Sequence, residues 1–124
     1  MVNSFFAFQK LLVWQKSRQL VKDVYLATSD FPVVEQYSLT TQIRRAVVSV
    51  PSNIAEGSSR SSDRDQVRFL EIAYGSLIET FCQLQIAVDL GYLTQENFDS
   101  LVPLFEELGK MLSALRRNKQ YKIL

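Results

Sequence analysis

Seven residues punctuate this 124-residue chain: four glycines and three prolines. Between them, apolar residues recur every three or four positions, and no stretch shows the strict alternation of a half-buried strand. So few turn-formers and so sustained a helical period leave one broad choice: long amphipathic helices joined by short links. The chain divides into four such segments.

The first is expected over roughly Phe8 to Thr28. Val13, Ser17, Leu20, Val24 and Ala27 step along one face, opposite Lys16, Gln19, Lys22 and Asp23. It stops at Ser29-Asp30-Phe31-Pro32, because Pro32 disfavours helical geometry at Phe31. Ser38 or Thr40 is positioned to cap a second segment that ends near Gly57, with Pro51 bending or interrupting it. Ser61-Ser62-Asp63 offers caps for a third, running to about Leu90 and closed by Gly91. Its core face holds Leu70, Ala73, Tyr74, Leu77, Phe81, Leu84 and Val88. Thr94 is placed to start a fourth, carrying Phe98, Leu101, Val102, Phe105, Leu108, Leu112 and Leu115. Pro103 there requires either a start nearer Ser100 or a kinked helix. The expectation is all-α: one domain over residues 1–124, an antiparallel up-down four-helix bundle with its second helix kinked at Pro51. A core of this size buries only about 65% of the unfolded surface, so association would add stability.

Composition removes many functions. There is no histidine, so Ser-His-Asp and Cys-His catalysis and an imidazole base are out of reach. The lone cysteine, Cys82, makes neither an intramolecular disulfide nor a thiolate zinc site. Glu56 and Glu79 are the best carboxylate pair for catalysis, but they lack a nucleophile, a histidine and a metal-binding partner. No catalytic residue, cofactor, metal or small-molecule substrate is expected. Met1 to Phe8 lacks the pattern of a leader, and no stretch approaches the ~18 uncharged apolar residues of a membrane helix, so a cytoplasmic protein with no membrane partner is expected.

The second segment has the unusual chemistry. At 100° per residue, Gln42, Arg45, Ser49, Asn53, Glu56 and Arg60 fall within about an 80° stripe beside the apolar Leu39, Ile43, Val47, Val50 and Ile54. A solvated helix face favours Lys and Glu, whereas this stripe has no lysine and is rich in short polar groups. Ser49 and Asn53 are poor helix-interior residues unless their polar atoms are used. The favoured reading is a satisfied polar seam against another helix or subunit; a solvated face and a ligand site are the alternatives. In the third segment Ser76, Glu79 and Gln83 supply a partner side, and an Arg45–Glu79 contact would relieve a carboxylate set among Ile72, Ile86 and Leu90. The mid-helix Gly75 costs about 1 kcal/mol against alanine, which points to a close helix–helix approach rather than a phosphate loop.

The run Leu39-Thr40-Thr41-Gln42-Ile43-Arg44-Arg45-Ala46, followed by Ser49-Val50-Pro51-Ser52-Asn53-Ile54-Ala55-Glu56-Gly57, resembles the signature of the four helix bundle proteins encoded in intervening sequences of bacterial 23S rRNA genes. Leu12-Val13-Trp14, Phe31-Pro32, Phe69-Leu70, Gly75-Ser76, Leu90-Gly91-Tyr92-Leu93 and Met111-Leu112 extend the likeness over nearly the whole chain. The resemblance implies an antiparallel bundle, a second helix continuing through Pro51 as a kinked helix, and a cyclic homo-oligomer, typically a pentamer. It implies no established enzyme activity. A related branch, the accessory proteins of diversity-generating retroelements, is similar in fold and binds nucleic acid and a reverse transcriptase. Those proteins are strongly basic; this chain has 14 Lys+Arg against 13 Asp+Glu. Ser38 also stands where members of the family often have glycine.

Two functional expectations follow: a non-enzymatic oligomeric scaffold whose partner is itself, and, as the alternative, an accessory protein contacting RNA or DNA. The second draws on Arg60, Arg64 and Arg68, with Arg116, Arg117, Lys119 and Lys122 at the C-terminus. Asp63 and Asp65 interrupt the first group, and terminal cations also suit a helix C-terminus.

Overall fold

The apolar stripes meet in one core. The computed structural model describes residues 5–118, with α1 at Leu12–Ala27, α2 at Leu39–Ser58, α3 at Asp63–Asp89 and α4 at Gln95–Asn118. The core is layered from Val13, Leu20 and Val24 of α1, Ile43, Val47, Val50 and Ile54 of α2, Leu70, Leu77 and Leu84 of α3, and Phe105, Leu108 and Leu112 of α4. Each fully buried aliphatic side chain contributes about 1.5–3 kcal/mol, so the core provides the main stabilisation. Ser17 and Thr80 are tolerated inside it because their hydroxyls donate to the carbonyls of Trp14 and Ser76.

Contacts between successive helices count in opposite directions along the chain. Ascending α3, Phe69 abuts Gly57, Ser76 bonds to Ser49 and Gln83 bonds to Gln42. On the other side Tyr74 lies under Arg116, and Phe81 packs on Phe105 and Phe98. Both α2 and α4 therefore run antiparallel to α3. The link to α1 is made by Arg44, which donates to the Thr28 hydroxyl, and by the Lys16–Glu107 bridge at 3.0 Å.

Some local expectations are corrected, while the passage of α2 through Pro51 and the Ser62 cap are as expected. The first helix does not begin at Phe8: a separate 3-10 turn, Ala7–Lys10, precedes it, and Leu11 between them is extended. Gln9 causes the break, since its side-chain oxygen takes the N–H groups of Phe5 and Phe6 and its carbonyl accepts from Gln15. Ser38 stands at the N-cap position of α2 but its side chain makes no capping bond, and Thr40 does not cap the helix. The Ser38 hydroxyl turns back to Glu35, whose carboxylate also receives the Leu39 N–H, while Thr40 is buried inside the helix. Pro51 sits within one continuous α2, although it has no N–H to offer the Val47 carbonyl. The fourth helix starts at Gln95, not near Ser100, because Thr94 caps it by accepting the Asn97 N–H; Pro103 is thus interior. Ser62 caps α3 through the Asp65 N–H.

The glycines exchange roles. Gly91, at φ +79°, closes α3 with two bonds, Gly91 N–H to Val88 and Tyr92 N–H to Ala87. α2 ends at Ser58, next to Gly57 as expected, but Gly57 is itself helical and buried where an added Cβ would stand 2.9 Å from the Cβ of Phe69. It is the residue that lets α2 and α3 approach. Gly75, read from sequence as such a contact, has no atom within 4 Å of its would-be Cβ.

Candidate functional site

The most distinctive surface of the bundle is where α2 and α3 meet. Ser76 donates to the Ser49 hydroxyl at 2.8 Å, and Asn53 donates to the Ser49 carbonyl at 2.8 Å and to its hydroxyl at 2.9 Å. One to two turns away, the Gln83 amide donates to Gln42 at 3.3 Å and to Glu79 at 3.2 Å. These bonds exist because α2 carries short polar groups at a spacing of four, and α3 presents Ser76 and Gln83 seven apart on the facing side. Half-buried hydroxyls and amides that satisfy one another across a helix pair fix its register as well as its stability.

Not every residue of the polar stripe joins this network. Ser49, Asn53 and Ser76 make one group, and Gln42 and Glu79 are tied in a second by Gln83, whose place on the Ser76–Glu79–Gln83 side is the signal for it. Glu56 and Arg60 form a separate exposed bridge at 2.8 Å, with Arg60 also over the Phe69 ring. Such a surface i,i+4 pair contributes only a few tenths of a kcal/mol. The expected Arg45–Glu79 contact is not made: both side chains are exposed, and Arg45 has no ion pair or hydrogen bond among the described residues. The helix pair is already held by Ser49–Ser76 and Gln42–Gln83, and Glu79 accepts from Gln83 while it and the neighbouring Ile72, Ile86 and Leu90 stand exposed to solvent. Gln83 is only 9% exposed, and its side-chain oxygen has no partner.

Part of the surface beside this seam is apolar. Ile72 is 41%, Ile86 42% and Leu90 52% exposed, and with Gly75 and Glu79 they make one outward stripe on α3. Cys82 is exposed beside it.

The predicted basic group is placed at one end of the bundle, where α3 starts and α4 finishes. Arg64, Arg68 and Arg117 are exposed there, and Arg116 is half-buried over Tyr74. Lys119 and Lys122 lie outside the described residues. At the opposite end, Glu35 is a clamp missed in the sequence: it accepts from Ser38, from the Tyr92 hydroxyl at 2.9 Å and from the Leu39 N–H. These donors, Ser38 foremost, hold its carboxyl below the ordinary carboxylate value. The same bond, with burial adding to it, raises the Tyr92 phenol.

Among the described residues no group of three His, Cys, Asp or Glu side chains could hold a metal, and no helix is long and apolar enough to cross a membrane. A family model described as 23S rRNA-intervening sequence protein matches residues 9–114. The chain belongs to that family. A solved member of what is called the S23 ribosomal protein family, from Bacteroides thetaiotaomicron and of unknown function, is 27% identical to this chain. The likeness covers 86% of this chain and 100% of the other, with a TM-score of 0.78. No curated protein matches. The family match spans the whole α2–α3 seam, so the seam lies in the part of the chain that the family shares.

Proposed function

We propose that this protein is a non-enzymatic, cytoplasmic helical bundle that assembles with copies of itself into a cyclic homo-oligomer, a pentamer by resemblance to its family. The observation that carries the reading is the outward stripe of Ile72, Ile86 and Leu90 beside a half-buried polar seam. Aliphatic side chains aligned along one helix and left in water favour association, and a bundle of this size gains from burying them. Light scattering across the micromolar range tests this. A mass about five times the 14.2 kDa of one chain is expected, and a monomer at those concentrations overturns self-assembly.

A second reading, contact with RNA or DNA, is supported by the gathering of Arg64, Arg68, Arg116 and Arg117 at one end of the bundle. A ring would repeat that patch once per copy, although the net charge of each chain is only +1. Binding of RNA and DNA oligonucleotides measured from low to high salt should then fall steeply. No retention at low salt overturns this second reading.

A further inference from the structure

Resting on the self-assembly reading, we propose that copies of this chain meet across the α2–α3 seam, with Glu79 of one copy paired to Arg45 of its neighbour. Four observations converge on that face. Arg45 and Glu79 are both exposed on helices that flank the seam, carry opposite charge and leave each other unpaired within the chain. Gly75 sits one turn before Glu79 with open space where a Cβ would be, so the chain's own packing gives no use to a residue that weakens the helix. A neighbouring helix crossing there would use it. Ile72, one turn before that opening, and Ile86, three turns beyond it, lie on the same outward stripe and become buried apolar parts of the contact. The Gln83 oxygen, buried and without a partner, lies in the same seam and awaits a donor.

The charge pattern selects the occupant. Residues 69–109 hold seven acidic side chains and no basic one, so α3 beyond its first two turns is a purely acidic helix. On the α2 side of the seam Arg45 is exposed, whereas Arg44 is held by Thr28 and Tyr25 and Lys16 by Glu107 of α4. The acidic α3 edge of one copy complements the Arg45 edge of the next, a head-to-tail contact between two different patches that can repeat around a ring. A nucleic acid laid on the α3 edge would meet Glu71 and Glu79 with no cation on that part of α3 to offset them.

The test uses Arg45→Glu, Glu79→Arg and the double variant in the full chain, with mass followed by light scattering. Both positions are exposed, so helix content by circular dichroism should match wild type. Each single variant places like charges opposite one another and should weaken association about ten-fold or more, while the double variant restores it. Cys82, one turn from Glu79, supplies a second readout: maleimide should label it slowly in the assembled wild type and quickly in the single variants. An assembled wild type whose single variants keep its mass and labelling rate overturns this face and leaves self-assembly standing. A double variant no better than the singles also overturns the pairing. A monomeric wild type overturns both readings. RNA retention lost with Arg45→Glu at unchanged mass would assign the face to nucleic acid instead.

Discussion

Alanine at Gly57 and alanine at Gly75 should have opposite effects on the stability of the dissociated chain. At Gly57 the new methyl would stand 2.9 Å from Phe69 Cβ and 3.5 Å from the Gln66 carbonyl oxygen. Neither neighbour is the far end of a flexible side chain, so α2 and α3 would have to separate. Overpacking of this kind costs about 1–3 kcal/mol, offset by less than ~1 kcal/mol of helix propensity because Gly57 is next to the last residue of α2. The net loss of about 1–2 kcal/mol corresponds to a Tm lower by roughly 4–8 °C for a chain of this length. At Gly75 nothing lies within 4 Å, and the gain should approach ~1 kcal/mol, or roughly 4 °C. Thermal and urea melts by circular dichroism, at concentrations where light scattering shows single chains, read both changes. A Gly57→Ala chain as stable as wild type refutes the close approach, and a destabilised Gly75→Ala monomer refutes the open space. In the assembled protein Gly75→Ala should instead weaken association, because the methyl would enter the proposed crossing.

The other expectations are local. In a double-mutant cycle, Ser49→Ala and Ser76→Ala should couple by about 0.5–1 kcal/mol in urea midpoints at constant m, and strict additivity would argue against their bond. Leu84→Ala, in the sealed core, should cost about 2–5 kcal/mol, whereas Leu26→Ala, 72% exposed, should stay within ~0.5 kcal/mol; similar losses at both would contradict the helix facing. The Glu35 carboxyl is lowered on folding, so its contribution is complete above the unfolded carboxylate value and is lost as pH falls through the folded one. The gap between wild type and Tyr92→Phe should therefore narrow below roughly pH 4, and urea midpoints that fall in parallel would count against the clamp. Tyr92 is raised, so its share is complete below the unfolded phenol value and disappears as pH climbs through the folded one.

Much of the bundle was legible because helical stripes and caps are local. Val13, Ser17, Leu20 and Val24 are all buried at the spacing that named them, and Ser62, Thr94 and Gly91 mark helix ends by chemistry confined to a few neighbouring residues. The polar stripe of α2 stood out for the same reason, as a helix face without lysine and rich in short polar side chains. What became of them was not local. Ser49, Asn53 and Ser76 joined one network, Gln42 and Glu79 were tied by Gln83 in a second, Glu56 and Arg60 paired apart from both, and Arg45 was left in solvent.

The sequence by itself determined that the chain makes four amphipathic helices, which side of each is apolar, where most of them end, and that histidine and thiolate-metal chemistry are absent. Tertiary structure alone decided which glycine lies against a helix and which faces open space, and that Gln83 rather than Arg45 reaches across the seam. The physical reason is that periodicity measures an angle about a helix's own axis. The distance and axial offset between two helices depend on the side chains of both, and are set only when they pack.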